Sequence, residues 1–226
     1  MTHPNPALRR LLLAGASGLV GHEALSQALA APGLQALHAL VRRPPTAAAA
    51  DTRLHWHRVD FAALGGVPAA DAALCALGTT IKVAGSQAAF RAVDFDAVLA
   101  FARAARAAGV DRFAVVSALG ADAGSGVFYN RVKGEMEAGL RGLGFGTLVI
   151  ARPSLLVGDR AARGQPVRLG ERLGLALSAP LGPLIPKAWR PVNASVVARA
   201  LLRALAGAAP GVQVLESAAL QDLGQA

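Results

Sequence analysis

The stretch that most constrains this chain is Leu11-Leu12-Leu13-Ala14-Gly15-Ala16-Ser17-Gly18-Leu19-Val20-Gly21, an apolar run, then glycines at a three-residue spacing, then a helix start. An uninterrupted apolar run suits a strand buried on both faces. Gly15 permits a tight strand-to-helix turn, Gly18 lacks the Cβ that would hold the backbone off a pyrophosphate, and Gly21 lets the helix lie close to the strand. The helix N-terminus, with the adjoining Ser17, Leu19 and Val20, then faces an anion with partial positive charge and unpaired N–H groups. The spacing is GxxGxxG, one residue wider than the GxGxxG fingerprint, and by itself it also fits a glycine-rich turn in any α/β protein.

Strand-like and helical segments alternate beyond this turn. Strands are predicted over 8–14, 36–41, 54–59, 72–77, 113–117 and 147–151, and helices over 19–30, 87–108 and 128–140. The long helix starts at a Ser86 cap, stops at Gly109, and lays Phe90, Val93, Ala97, Phe101 and Ala104 on one face. After Pro153 the pattern loosens, with helices expected over 169–177 and 195–205 and a last short strand over 212–215. This order predicts an α/β fold, a doubly wound, mainly parallel sheet with helices on both faces. A chain of 226 residues is expected to form one domain, 1–226, with a cofactor-binding core over 1–151 and a short substrate-side segment over 152–226.

The formal charge of +9 comes from arginines scattered singly or in pairs, without a basic tail, and aromatic residues make up only 4% of the chain. Such a pattern lacks base-stacking platforms and argues against a specific nucleic-acid ligand. Cys75 is the only cysteine, so no intrachain disulfide forms, and Leu74 and Leu77 mark it as a small core residue. Arg9-Arg10 before an apolar run imitates an export signal, but cleavage there would destroy the glycine turn, so a cytoplasmic protein is expected. No apolar stretch is long enough to cross a bilayer, and no transmembrane segment is expected. His55 and His57 share a strand face at a spacing metals use, but no third ligand is evident and no metal is expected.

The second strand ends in Arg42-Arg43-Pro44, where an NAD site usually offers an acid to the ribose hydroxyls. A guanidinium matches a phosphate bidentately, so the expected cofactor is NADP(H). Asp60 and Phe61 follow the third strand, where a carboxylate can accept from an adenine amino group and a ring can cover the base. Gly78-Thr79-Thr80 follows the fourth strand and would bring N–H groups and a hydroxyl to the cofactor edge. Tyr129 and Lys133 lie four apart on one helix face, so the ammonium can lower the pKa of the phenol, and a phenol so tuned can pass its proton to a carbonyl oxygen as hydride arrives, leaving the phenolate beside the ammonium. Ser117, at the end of the central strand, is placed to hydrogen-bond that oxygen. Lys82 and Arg160 lie in loops that could overhang the cofactor, while Glu135 and Glu137 call for no catalytic role.

Taken together, these residues resemble an atypical short-chain dehydrogenase/reductase of the Tat-interactive-protein branch and its bacterial NAD(P)H-binding, NmrA-like relatives. The resemblance runs nearly end to end, through residues 15–21, Leu77-Gly78-Thr79-Thr80, Ala84-Gly85-Ser86, Val93-Asp94, Val115-Val116-Ser117, the Tyr129/Lys133 pair, Arg152-Pro153-Ser154-Leu155-Leu156 and Arg190-Pro191-Val192. It implies a Rossmann-like sheet with NADP(H) at the switch-point crevice. It also implies Pro153 beside the nicotinamide, Lys133 on the nicotinamide ribose, and Ser117, Tyr129 and Lys133 as the catalytic set. The asparagine found in many short-chain dehydrogenases has no candidate in the helix 87–108.

The expected function is therefore an NADPH-dependent reductase of a small, apolar carbonyl or enone compound. The competing expectation is an NADP(H)-binding sensor or scaffold that regulates a protein partner with little turnover. A second copy of the chain or a protein partner stays open at this level. Peripheral membrane contact through the basic, Leu-rich stretch 168–190 is opposed by Pro180, Pro183 and Pro186, which break a continuous amphipathic helix.

Overall fold

A computed structural model describes residues 8–45, 51–158, 186–207 and 209–225. Strand β1 (Arg10–Ala14) has leucine or alanine at every position after the first; Leu11 and Leu13 enter one core, Leu12 and Ala14 the other. Each fully buried leucine contributes about 1.5–3 kcal/mol. Burial on both faces requires helices on both sides, and α1 (Leu19–Ala30) starts immediately after the glycine turn.

β1 pairs with β2 (Ala36–Val41), and β2 with β3 (Leu54–Arg58). On its other side β1 pairs with β4 (Ala72–Cys75), followed outward by β5 (Arg112–Val116), β6 (Thr147–Arg152) and β9 (Gly211–Glu216). All pairings are parallel, in a seven-stranded sheet of order β3-β2-β1-β4-β5-β6-β9. Strand order therefore reverses between β1 and β4, and ligands of such sheets sit above the carboxyl ends at that point.

Helices α2 (Ile81–Ala84), α3 (Gln87–Arg91) and α4 (Val98–Ala107) lie between β4 and β5, and α5 (Phe128–Arg141) follows β5. Phe101 and Ala105 of α4 and Met136 and Leu140 of α5 fill the core on one sheet face. A two-residue pair, β7 (Leu156–Val157) and β8 (Val192–Asn193), precedes α6 (Ala194–Gly207). Val197, Leu201 and Leu205 of α6 join Leu19, Val20 and Ala24 of α1 on the opposite face. Of the segment 152–226, α6 thus covers the sheet and β9 extends it. A last helix, α7 (Ser217–Gln225), follows β9 directly.

The single helix expected over 87–108 is interrupted by a π-helical stretch, Ala92–Ala97. Its ends behave as expected: Ser86 Oγ accepts from Ala89 N at 3.0 Å, and Gly109 has φ +85°. The wider turn rotates the helix face, so that Asp94 rather than Val93 is fully buried. π-turns concentrate at functional sites. The helix expected over 169–177, together with Arg160, Pro180 and Pro183, lies outside the described residues.

Candidate active site

The glycine turn fits a phosphate cradle. Gly15 has φ +87°, and a Cβ there would come within 2.5 Å of the Ala76 backbone at the end of β4. Only glycine meets both demands, so the turn locks the ends of the two switch-point strands together. A Cβ at Gly21 would overlap the Gly15 carbonyl, which is how α1 packs down onto the turn. Gly18 is the N-cap of α1, and its N–H donates to Gly15 O at 2.9 Å. Gly18 sets no side chain across the positive end of α1, which suits a phosphate there.

Arg42 and Arg43 are exposed beyond the end of β2. Arg42, Arg58, Val59 and Asp60 line a surface cavity of about 420 Å³ between the ends of β2 and β3. Asp60 Oδ1 accepts from Ala62 N at 2.9 Å and so caps the short 3₁₀ turn Phe61–Ala63. Phe61 departs from expectation: its ring is buried in the core with Leu40, Ala14 and Cys75, drawn there by apolar neighbours rather than left to cover a base. Cys75 is wholly buried, and burial pushes its thiol up to about 12, as an inert core residue requires.

After β4, Thr79 N donates to Asp94 Oδ2 at 2.8 Å, so this N–H points into the protein instead of toward a cofactor edge. The Thr80 hydroxyl accepts from Val83 N at 3.2 Å and caps α2. Asp94 also meets Lys133, with Nζ 2.7 Å from Oδ1 and both side chains almost fully buried. Burial by itself pulls the Lys133 ammonium down, but the Asp94 carboxylate, helped by the Tyr129 phenol, overrides it and the net direction is up. Lys133 is thus held charged. Nζ also lies 3.5 Å from Val116 O, and a Cβ at Gly78 would sit 3.9 Å from Nζ. The α5 lysine is thereby fixed beside the ends of β4 and β5.

Tyr129 lies one turn earlier on α5, half-buried, its ring 5.3 Å from that of Phe90. Ser117 is engaged elsewhere. Its hydroxyl donates to Glu137 Oε1 at 2.6 Å in a buried contact, two turns along α5 from Tyr129. Arg152 grips the same carboxylate bidentately, Nε at 2.9 Å from Oε1 and Nη2 at 2.6 Å from Oε2, and reaches Glu216 at 3.1 Å. Pro153 follows, buried, with its carbonyl accepting from Leu119 N at 3.0 Å. The structure therefore joins Lys133, Asp94 and Gly78 in one cluster and Ser117, Glu137 and Arg152 in another. The sequence alone gives Asp94 and Glu137 no role in the site, because a lone acid in a helix carries no sign of a distant partner.

His55 and His57 share a face of β3 and meet His38 of β2. His38 Nδ1 is 3.0 Å from His57 Nε2, and the His38 and His55 rings stack at 5.0 Å. Among the described residues no set of three or more ligating side chains is arranged to hold a metal ion. Among them, too, no helix is long and apolar enough to cross a membrane.

A parallel doubly wound sheet with a glycine cradle at its switch point defines a Rossmann-like dinucleotide-binding protein. Residues 15–145 match the model of the NAD(P)H-binding family, and the chain belongs to that family. It is 32% identical to "Protein fmp52, mitochondrial" of Aspergillus fumigatus over 205 residues, 87% of each chain. It is 37% identical to "Protein HTATIP2" of Rattus norvegicus over 159 residues, 69% of this chain and 62% of that one. The solved structure of MoeE5 with UDP-glucuronic acid and NAD shares the fold at a TM-score of 0.68 and 20% identity, covering 91% of this chain and 75% of that one. The fungal names place those relatives in mitochondria, which overturns the expectation of a cytoplasmic protein. That expectation rests on the damage cleavage would do to the glycine turn, an argument that bears on processing at one site and not on where the folded protein goes.

Proposed function

We propose that the protein is an NADPH-dependent reductase of the short-chain dehydrogenase/reductase type, acting on a small apolar carbonyl or enone compound. The observation that carries this reading is the buried Lys133 ammonium, fixed by Asp94 and Val116 O one helical turn from Tyr129 and beside Gly78 at the switch point. The cradle at Gly15, Gly18 and Gly21 suits the pyrophosphate, with Ser17, Leu19 and Val20 at the helix start. Arg42 and Arg43 would hold the 2′-phosphate, and Thr80, Lys133 and Pro153 would line the nicotinamide half, with Thr79 beside them and its N–H held by Asp94. NADPH supplies the hydride when bound. Tyr129 gives its hydroxyl proton to the substrate oxygen that gains the new electron pair, and the fixed Lys133 charge stabilises the phenolate left behind.

A second reading, an NADP(H)-binding sensor with little turnover, is favoured by one feature. The Ser117 proton is already directed to Glu137, so Ser117 in this rotamer cannot donate to a substrate carbonyl. The test of cofactor choice is a titration of wild type and Arg42→Ala with NADPH and NADH. Wild type is expected to bind NADPH about one to two decades more tightly, as one charge-assisted phosphate contact allows. Equal affinities in wild type would refute the assignment. Loss of discrimination only on changing Arg43 would move the contact by one residue.

A further inference from the structure

We infer that Arg58 is a second cofactor-discriminating residue, which closes on the 2′-phosphate from β3 while Arg42 closes on it from β2. The inference rests on the NADPH reading above. In the parallel register Arg58 stands opposite Val41, the residue immediately before Arg42, and the ladder continues with Val59 N donating to Val41 O at 2.9 Å. Both arginines line the cavity of about 420 Å³ beyond the ends of these strands.

Among the described residues neither Arg42 nor Arg58 forms an ion pair, so no direct carboxylate contact offsets either charge at the cavity they share. Two like charges facing one cavity repel each other unless an anion enters. Asp60, on the same wall, sharpens the point. One of its oxygens is occupied by Ala62 N, but its charge still opposes a phosphate. A single guanidinium beside Asp60 would leave the cavity near neutral, and the second makes it cationic. A terminal phosphate has three oxygens and can take a bidentate contact from each fork. NADH, with two hydroxyls at this place, would draw no such contacts and would leave the two charges uncompensated.

The test is fluorescence titration of Arg58→Ala and Arg58→Gln with NADPH and NADH, with competition by adenosine 2′,5′-bisphosphate and by ADP to isolate the phosphate end. Either variant is expected to weaken NADPH and the bisphosphate about tenfold, leave NADH and ADP within twofold, and recover in part as Arg58→Lys. The ratio of affinities is the critical readout, since a general loss of structure would move both cofactors together. If the variants shift NADPH and NADH by the same factor, or shift neither, Arg58 does not touch the phosphate. If that happens while wild type still prefers NADPH and Arg42→Ala abolishes the preference, the NADPH reading stands and only Arg58 falls. If wild type itself does not discriminate, both fall.

Discussion

Ser117 has one hydroxyl proton, and it goes to a carboxylate that Arg152 already holds, so Ser117 and Tyr129 make different demands on mutagenesis. Tyr129→Phe keeps the ring against Phe90 and removes only the donor; loss of a general acid costs about two to four decades in rate. Steady-state kinetics on a substrate found by screening NADPH oxidation against aldehydes, ketones, quinones and enones should show that loss in kcat, with NADPH affinity nearly intact. Ser117→Ala should cost less than tenfold in the same assay but lower the melting temperature, because Glu137 loses a buried donor. A loss from Ser117→Ala as large as that from Tyr129→Phe would mean that the serine turns to the substrate. Tyr129 and Lys133 were readable because their relation is local, four residues along one helix. Asp94 and Glu137 were not, because Asp94 meets Lys133 across 39 positions of chain (133 − 94) and Glu137 meets Ser117 across 20.

At the level of elements, β2 and α1 fall where the apolar pattern put them, since each has its punctuation in the sequence. The π-stretch and α7 do not. A π-turn keeps the helix composition and changes only the phase of the buried face, and α7 follows β9 without the glycine or proline that would announce it. The His38/His57 contact had the same cause, since it joins two strands whose register the sequence does not state. It makes a pH prediction. Burial first lowers both groups below the usual value of 6.5; His57, His55 and Arg10, itself paired with Asp71, add to the effect on His38, and His55 adds to it on His57. A lowered histidine binds fewer protons folded than unfolded, so stability rises with pH through this window. The contribution is complete above about pH 6.5 and shrinks as pH falls toward the folded-state values. Urea melts of wild type at pH 7.5 and 5.5 should differ more than those of a His38→Gln/His57→Gln variant; equal differences would show that the pair is uncoupled from folding.

Across the whole molecule, the fold class could be read from the βαβ order, but the protein's location could not, because a destination is not encoded in core periodicity. The charge of +9 is likewise a property of the entire surface, and it sets a test that needs no substrate. A cofactor that binds only the folded state at a hundred times its dissociation constant adds about 2.7 kcal/mol. For a chain of this size that raises the melting temperature by about 5–10 °C. At equal concentrations NADPH should raise it further than NADH, since only NADPH brings the extra phosphate to Arg42. Added salt should narrow the gap, because the screening length falls from about 10 Å at 0.1 M to about 3 Å at 1 M while apolar contacts to the rest of the cofactor are spared. A gap insensitive to salt would argue against exposed guanidiniums as its source. A large NADPH-specific shift combined with no turnover across the substrate screen would transfer the weight to the sensor reading, whereas the same shift with turnover abolished by Tyr129→Phe would establish the reductase.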